Sequence, residues 1–194
     1  MRNLDIAYNK LEKLKKEAEL WKMDINASMI SRKFNKEFRS LSVRFQFHIM
    51  DTYFAAGEYD PHRDSTEDPK YSVFLGYDRN FSIWLWVNTI EFYEEIFLIL
   101  AHEFRHGYQH RKRKYKTFSR PHRKRMATMF DYYKNADELD SYAYEAAHAV
   151  KLFESKKSSV KDYWVAEVYR REVKPVSLKA YKRFLKKLYL HTRT

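Results

Sequence analysis

Cysteine is absent from this chain of 194 residues. Disulfides, thiolate zinc knuckles and cysteine nucleophiles are thereby excluded, and histidine, aspartate and glutamate remain as the strong metal ligands. Glycine and proline are scarce, at three and four residues, which argues for long helices and against a turn-rich sandwich. No window approaches the ~20 apolar residues of a membrane span. The opening stretch MRNLDIAYNKLEKLKKEAEL has no apolar signal core. The expectation is a cytoplasmic protein with no membrane partner.

Aromatic residues are abundant, with 14 Phe, 16 Tyr and 4 Trp. Such a chain can build a substantial core and is not disordered throughout. Its length suits one domain, residues 1–194. The formal charge of +12 is unevenly spread. Residues 111–125, RKRKYKTFSRPHRKR, carry nine Lys/Arg and no acid, and residues 151–194 carry thirteen Lys/Arg against four acids. The rest of the chain is therefore net acidic. Two basic stretches of this kind suit a polyanionic partner, a nucleic acid or an acidic protein segment, at 111–125 above all. No helix-turn-helix, zinc-finger or ribonucleoprotein signature accompanies them, so sequence-specific reading of DNA has little support.

Periodicity predicts an α+β fold. Leu4, Ala7, Leu11, Leu14, Ala18, Trp21 and Ile25 recur in steps of three and four. They mark an amphipathic helix that residues 31–40 either continue, over about 4–37, or follow as a second helix. In LSVRFQFHIM (41–50), Val43, Phe45, Phe47 and Ile49 alternate with polar residues, as in a half-buried strand. Residues 57–70 read as a polar loop. YSVFLGY (71–77) and FSIWLWVN (81–88) read as a hairpin, which makes a small sheet of about three strands. Asn88, with Glu91 three residues on, forms a capping box for a core helix from Ile90 to about His110. Helices are also predicted at 126–135, 136–154 and 178–190, the last with Tyr181, Phe184, Leu185 and Leu188 on its apolar side. The basic C-terminal region, about 158–192, is read as helical.

The core helix carries His102-Glu103-Phe104-Arg105-His106. A spacing of four turns a helix by ~400°, so both imidazoles project from one face, one turn apart. They can share one zinc ion at ~2.0–2.1 Å. Glu103, beside the first of them, is placed as general base and then acid: it takes a proton from a zinc-acidified water attacking a carbonyl and passes it to the leaving amine. His110, one further turn on, spreads three ligands over two turns and fits one small ion poorly. Position 112, where the longer consensus has its third histidine, is Lys112. A third ligand is expected from another helix, for which NADELDSYAYEAAH (135–148) is the candidate.

The pair LAHEFRHGYQ and YKNADELDSYAYE resembles the gluzincin-type pattern of zincin-like metallopeptidases, in particular small uncharacterised proteins of phages and bacteria. The resemblance covers roughly residues 80–150. It implies a mostly helical zincin-like fold, with a small sheet in the N-terminal half packed on the metal helix. It also implies Zn2+ as cofactor and a peptide or protein substrate. In those families a downstream glutamate is the third ligand, which carries onto Glu138, with Asp140 as the alternative. An aspartate four residues after that ligand often supports a zinc histidine. Here the position is Tyr142, so the role is vacant or falls to Asp140 or Glu145. Tyr142, Tyr144 and His148 are further candidates for stabilising an oxyanion. Arg105 is expected to extend the basic surface that leaves the metal helix. The reading is a zinc metallopeptidase; the alternative is a non-enzymatic nucleic-acid or polyanion-binding protein on a zincin scaffold.

Overall fold

The computed structural model describes residues 2–21, 25–60, 69–79, 82–112, 133, 135–156 and 168–193. Two compact units are present, 1–104 and 105–194. The protein is α+β: its described residues form a three-stranded sheet and several helices. Among the described residues no helix is long and apolar enough to cross a membrane.

The N-terminal stripe is buried as expected: Leu4, Ala7, Leu11, Leu14, Ala18, Trp21 and Ile25 all lie in the core. They do not form one helix over 4–37, however. Helix α1 spans Arg2–Ala18 and α2 spans Ala27–Phe38. Asn26 is the reason for a fresh start, because its extended backbone and side-chain oxygen, which accepts from Met29 N at 3.0 Å, cap α2. Lys10 and Lys13 of α1 both reach Glu37 of α2, at 3.2 and 2.6 Å.

Strand β1 (Val43–Met50) buries Val43, Phe45 and Phe47, while Ile49 is exposed, contrary to the period-two reading. Side chains of α2 satisfy the outer backbone of β1. Asn35 accepts from Phe45 N and donates to Phe45 O, and Ser31 accepts from Phe47 N. Ile49 lies beyond the last of these bonds. The free edge of β1 is thus covered by polar residues of α2 as far as Phe47.

The hairpin expectation is overturned. Strand β3 (Tyr71–Asp78) lies in the middle of the sheet, parallel to β1 and antiparallel to β2 (Phe54–Tyr59), in the order β1-β3-β2. Strand β2 was not foreseen: its end falls in the stretch read as loop, and FAAGEY lacks a β-branched residue. FSIWLWVN is no strand. Ile83–Val87 is a short helix, α3, capped by Ser82, and it buries Ile83 and Val87. Those two residues are four apart, so they share a face in a helix as well as in a strand. A five-residue run cannot separate the two periods.

Helix α4 (Ile90–Lys112) follows. Its cap is Thr89, whose hydroxyl accepts from Phe92 N at 3.3 Å; Asn88 instead closes α3. Phe92, Ile96, Leu100 and Ala101 are buried. Around Phe34 the rings of Phe38, Phe45, Phe47, Phe92 and Tyr93 lie with centroids 5.0–6.4 Å away. Phe104 meets Tyr71 of β3 edge-on at 4.8 Å. The sheet-facing half of α4 is therefore held by aromatic packing.

In the second unit, α5 (Ala136–Lys156) and α6 (Leu178–Thr192) enclose a cluster of Leu139, Ala143, Ala146, Tyr169, Val173, Ala180 and Phe184. Tyr169 and Phe184 stack at 4.1 Å, and the Tyr169 hydroxyl donates to Tyr133 O. Ser177 caps α6. Tyr181 and Leu188 pack on the cluster as expected, but Leu185 is exposed. It lies about 100° round the helix from Phe184, turned away from the cluster. Most of the predicted helix at 126–135, most of the basic run 111–125 and residues 157–167 of the C-terminal region lie outside the described residues.

Candidate metal centre

Helix α4 is continuous through the His-Glu-x-x-His stretch, which puts His102 and His106 on consecutive turns of one face. Both are buried, as is Glu103. One ligand atom each from His102, His106 and Glu138 lie within 4.8 Å of one another, and among the described residues these three form the group able to hold a metal ion. His106 Nε2 is 3.3 Å from Glu138 Oε2. Two atoms each ~2.0–2.1 Å from one tetrahedral ion stand about 3.3 Å apart. The spacing of His106 and Glu138, with two buried imidazoles and a half-buried carboxylate in the group, suits an ion such as zinc.

His106 is oriented from behind. Its Nδ1 is 3.2 Å from Gln109 Oε1 and 3.2 Å from Ser141 Oγ. The neighbours of Gln109 dictate which end of its amide faces the ring. Its nitrogen lies against acceptors, Asp137 O at 3.1 Å and Asp140 Oδ2 at 3.0 Å, so its oxygen is the atom turned to the imidazole. An amide oxygen accepts, so Nδ1 is the nitrogen that carries a proton toward Gln109, and Nε2, on the Glu138 side, is the one a metal ion would take.

Asp140, the alternative third ligand, is not in the metal group. Its buried carboxylate takes Arg105 Nε at 2.8 Å, Gln109 Nε2 at 3.0 Å, Lys187 Nζ at 3.0 Å and His191 Nε2 at 3.1 Å. Burial alone raises the pKa of this carboxyl. The hydrogen bonds from His191, Arg105, Gln109 and Lys187 outweigh that, and the group stays well below the usual carboxylate range. Asp140 thus stands behind His106 through Gln109, in the supporting place that the sequence left either vacant or to Asp140 or Glu145. Arg105 is committed to Asp140 and stacks over Tyr108 and Tyr144, so it does not extend the basic surface as expected.

Other candidates separate clearly. Tyr142 packs against Tyr133 and Tyr169, on the cluster side of α5. Tyr144 is buried, with His148 and His191 at 4.5 and 5.2 Å between ring centroids. His110 and Glu145 are buried but lie outside the metal group. Gln109, Lys187 and His191 were missed. Gln109 is three residues from His106, a helical neighbour, and that spacing could have drawn notice. Nothing in the chain's pattern links Lys187 or His191 to position 140.

No protein-family model, curated protein or solved structure matches this chain.

Proposed function

We propose that this protein is a zinc-dependent metallopeptidase, with His102, His106 and Glu138 as ligands and Glu103 as general base and acid. The observation that carries the reading is the convergence of those three side chains, two from α4 and one from α5. Zinc bound there supplies an acidified water and polarises the scissile carbonyl. Glu103 then holds a proton on its carboxylate and returns it to the leaving amine. Gln109 and Ser141 keep the His106 proton on Nδ1. The substrate is a peptide or protein segment, and the resemblance to zincin-like proteins agrees with that chemistry. The test is metal analysis together with a peptide-hydrolysis assay. The protein as purified carries about one zinc per chain, and His102→Ala carries almost none. Glu103→Gln keeps the zinc and loses hydrolysis. Full activity in Glu103→Gln rejects the role.

One observation favours the second reading, a non-enzymatic polyanion-binding protein. Lys179, Lys182, Arg183 and Lys186 are exposed and recur at i, i+3, i+4 and i+7 on α6, a single stripe. No acid among the described residues pairs with them. Like charges four apart destabilise a helix slightly, so the stripe is not there for stability. With the run 111–125 it suits the phosphates of a nucleic acid. This reading expects salt-sensitive nucleic-acid binding that survives Glu103→Gln and weakens when these cations are neutralised. No binding at low salt removes it.

A further inference from the structure

Glu103 has an unusual neighbour in the sheet. Strand β2 contains Gly57, paired in register with Val73 of β3. A strand interior is a poor place for glycine, which packs nothing and loses the most backbone freedom on folding. No glycine of the described residues has a positive φ, so the backbone at 57 does not require one. Space does. A β-carbon built on Gly57 would stand 2.6 Å from both Cγ and Oε1 of Glu103 and 2.7 Å from Cγ2 of Ile99. Contacts that short are not tolerated, so something must move.

We propose that Gly57 is a positioning residue for Glu103: its missing side chain is the space in which the Glu103 carboxylate sits against the strand backbone. This rests on the reading of Glu103 as general base, and it adds a component from the sheet. An alanine at 57 leaves the strand conformation accessible. The methyl group meets Glu103 along its side chain and Ile99 close to its backbone. The carboxylate end of Glu103 is the freer of the two, so it gives way. A displacement of about 1 Å at a catalytic group is enough to cost on the order of 10²-fold in rate.

A double-mutant cycle on the full chain tests the contact without relying on activity. Gly57→Ala lowers the midpoint of thermal unfolding in the parent. In a Glu103→Ala background, where only the Ile99 contact remains, the same change lowers the midpoint by clearly less. Equal shifts in the two backgrounds overturn the proposal. In the hydrolysis assay Gly57→Ala loses at least tenfold in kcat with zinc content held near that of the parent. Undiminished kcat also overturns it. A parent that hydrolyses no peptide defeats the proposed function, while the cycle still decides whether residue 57 makes room for Glu103.

Discussion

The surroundings of Phe34 and the surroundings of Asp140 are two kinds of interior. Around Phe34, rings from α2, β1 and α4 exclude water, and the backbone of β1 is satisfied by Asn35 and Ser31. Around Asp140, one buried carboxylate draws a guanidinium, an amide, an ammonium and an imidazole from two other helices. Apolar contacts are individually small and numerous, so damage to the first region is a matter of volume. In the second, each partner left alone is a buried polar group or charge, so damage spreads to whatever that partner was holding. One such partner is Gln109, and it holds His106.

The largest expected effect follows from that contrast. Asp140→Ala strands Arg105, Gln109, Lys187 and His191 together and costs about 3–5 kcal/mol in urea unfolding. It also lowers zinc affinity, measured by competition with a chelator. Loss of stability with unchanged zinc affinity would break the link between this network and the metal. Phe34→Ala costs about the same, 3–5 kcal/mol, but zinc affinity of the folded protein stays at the parent value. A fall there would erase the distinction between the two regions.

Gln109→Leu is the sharper probe. It keeps the size of the side chain and removes one of the two acceptors at His106 Nδ1, so zinc affinity falls by up to about 10–100-fold. Asp140 and Asp137 O lose an amide donor, so the unfolding midpoint falls as well, though less than in Asp140→Ala. Gln109→Glu restores an acceptor toward the ring, but beside Asp140 it adds a second carboxylate, so it recovers only part of the affinity. The smallest effect is at the surface pair of the first unit. Hydrogen bonding from Lys13 leads the causes that hold the Glu37 carboxyl below its ordinary value of 4.5. A folded-state pKa below the unfolded one gives stability that is full above the unfolded value and is lost as pH falls through the folded value. Glu37→Gln therefore destabilises by under about 1 kcal/mol at pH 7, and its gap from the parent closes as the pH falls from the ordinary value of 4.5 through the lower folded value. A gap independent of pH would assign the effect to packing.

How far each feature could be read in advance depends on the range of the interaction behind it. The burial of Leu4 through Ala18 and the shared face of His102 and His106 are properties of single helices, and they were legible. FSIWLWVN was not, because Ile83 and Val87 satisfy period two and period 3.6 alike. Asn88 is the cap of α4 that the sequence suggests, but Thr89, the residue next to that helix, takes the place while Asn88 closes α3. Strand β2 exists because β3 pairs with it, while its own residues hardly favour a strand.

The same division runs through the site. Spacing along one helix determines that two imidazoles face one way, since the α-helical turn is set by backbone hydrogen bonds that need no partner helix. Glu138 and Asp140 flank the apolar face of α5 on opposite sides, and no rule of helix geometry chooses between them. The chain's folding does: Arg105, Gln109, Lys187 and His191 surround Asp140, and Glu138 is the acid left beside His106. Gly57, 46 positions before Glu103, meets it for the same reason. Contacts across such separations depend on which surfaces bury each other, and that is decided only when the whole core has formed.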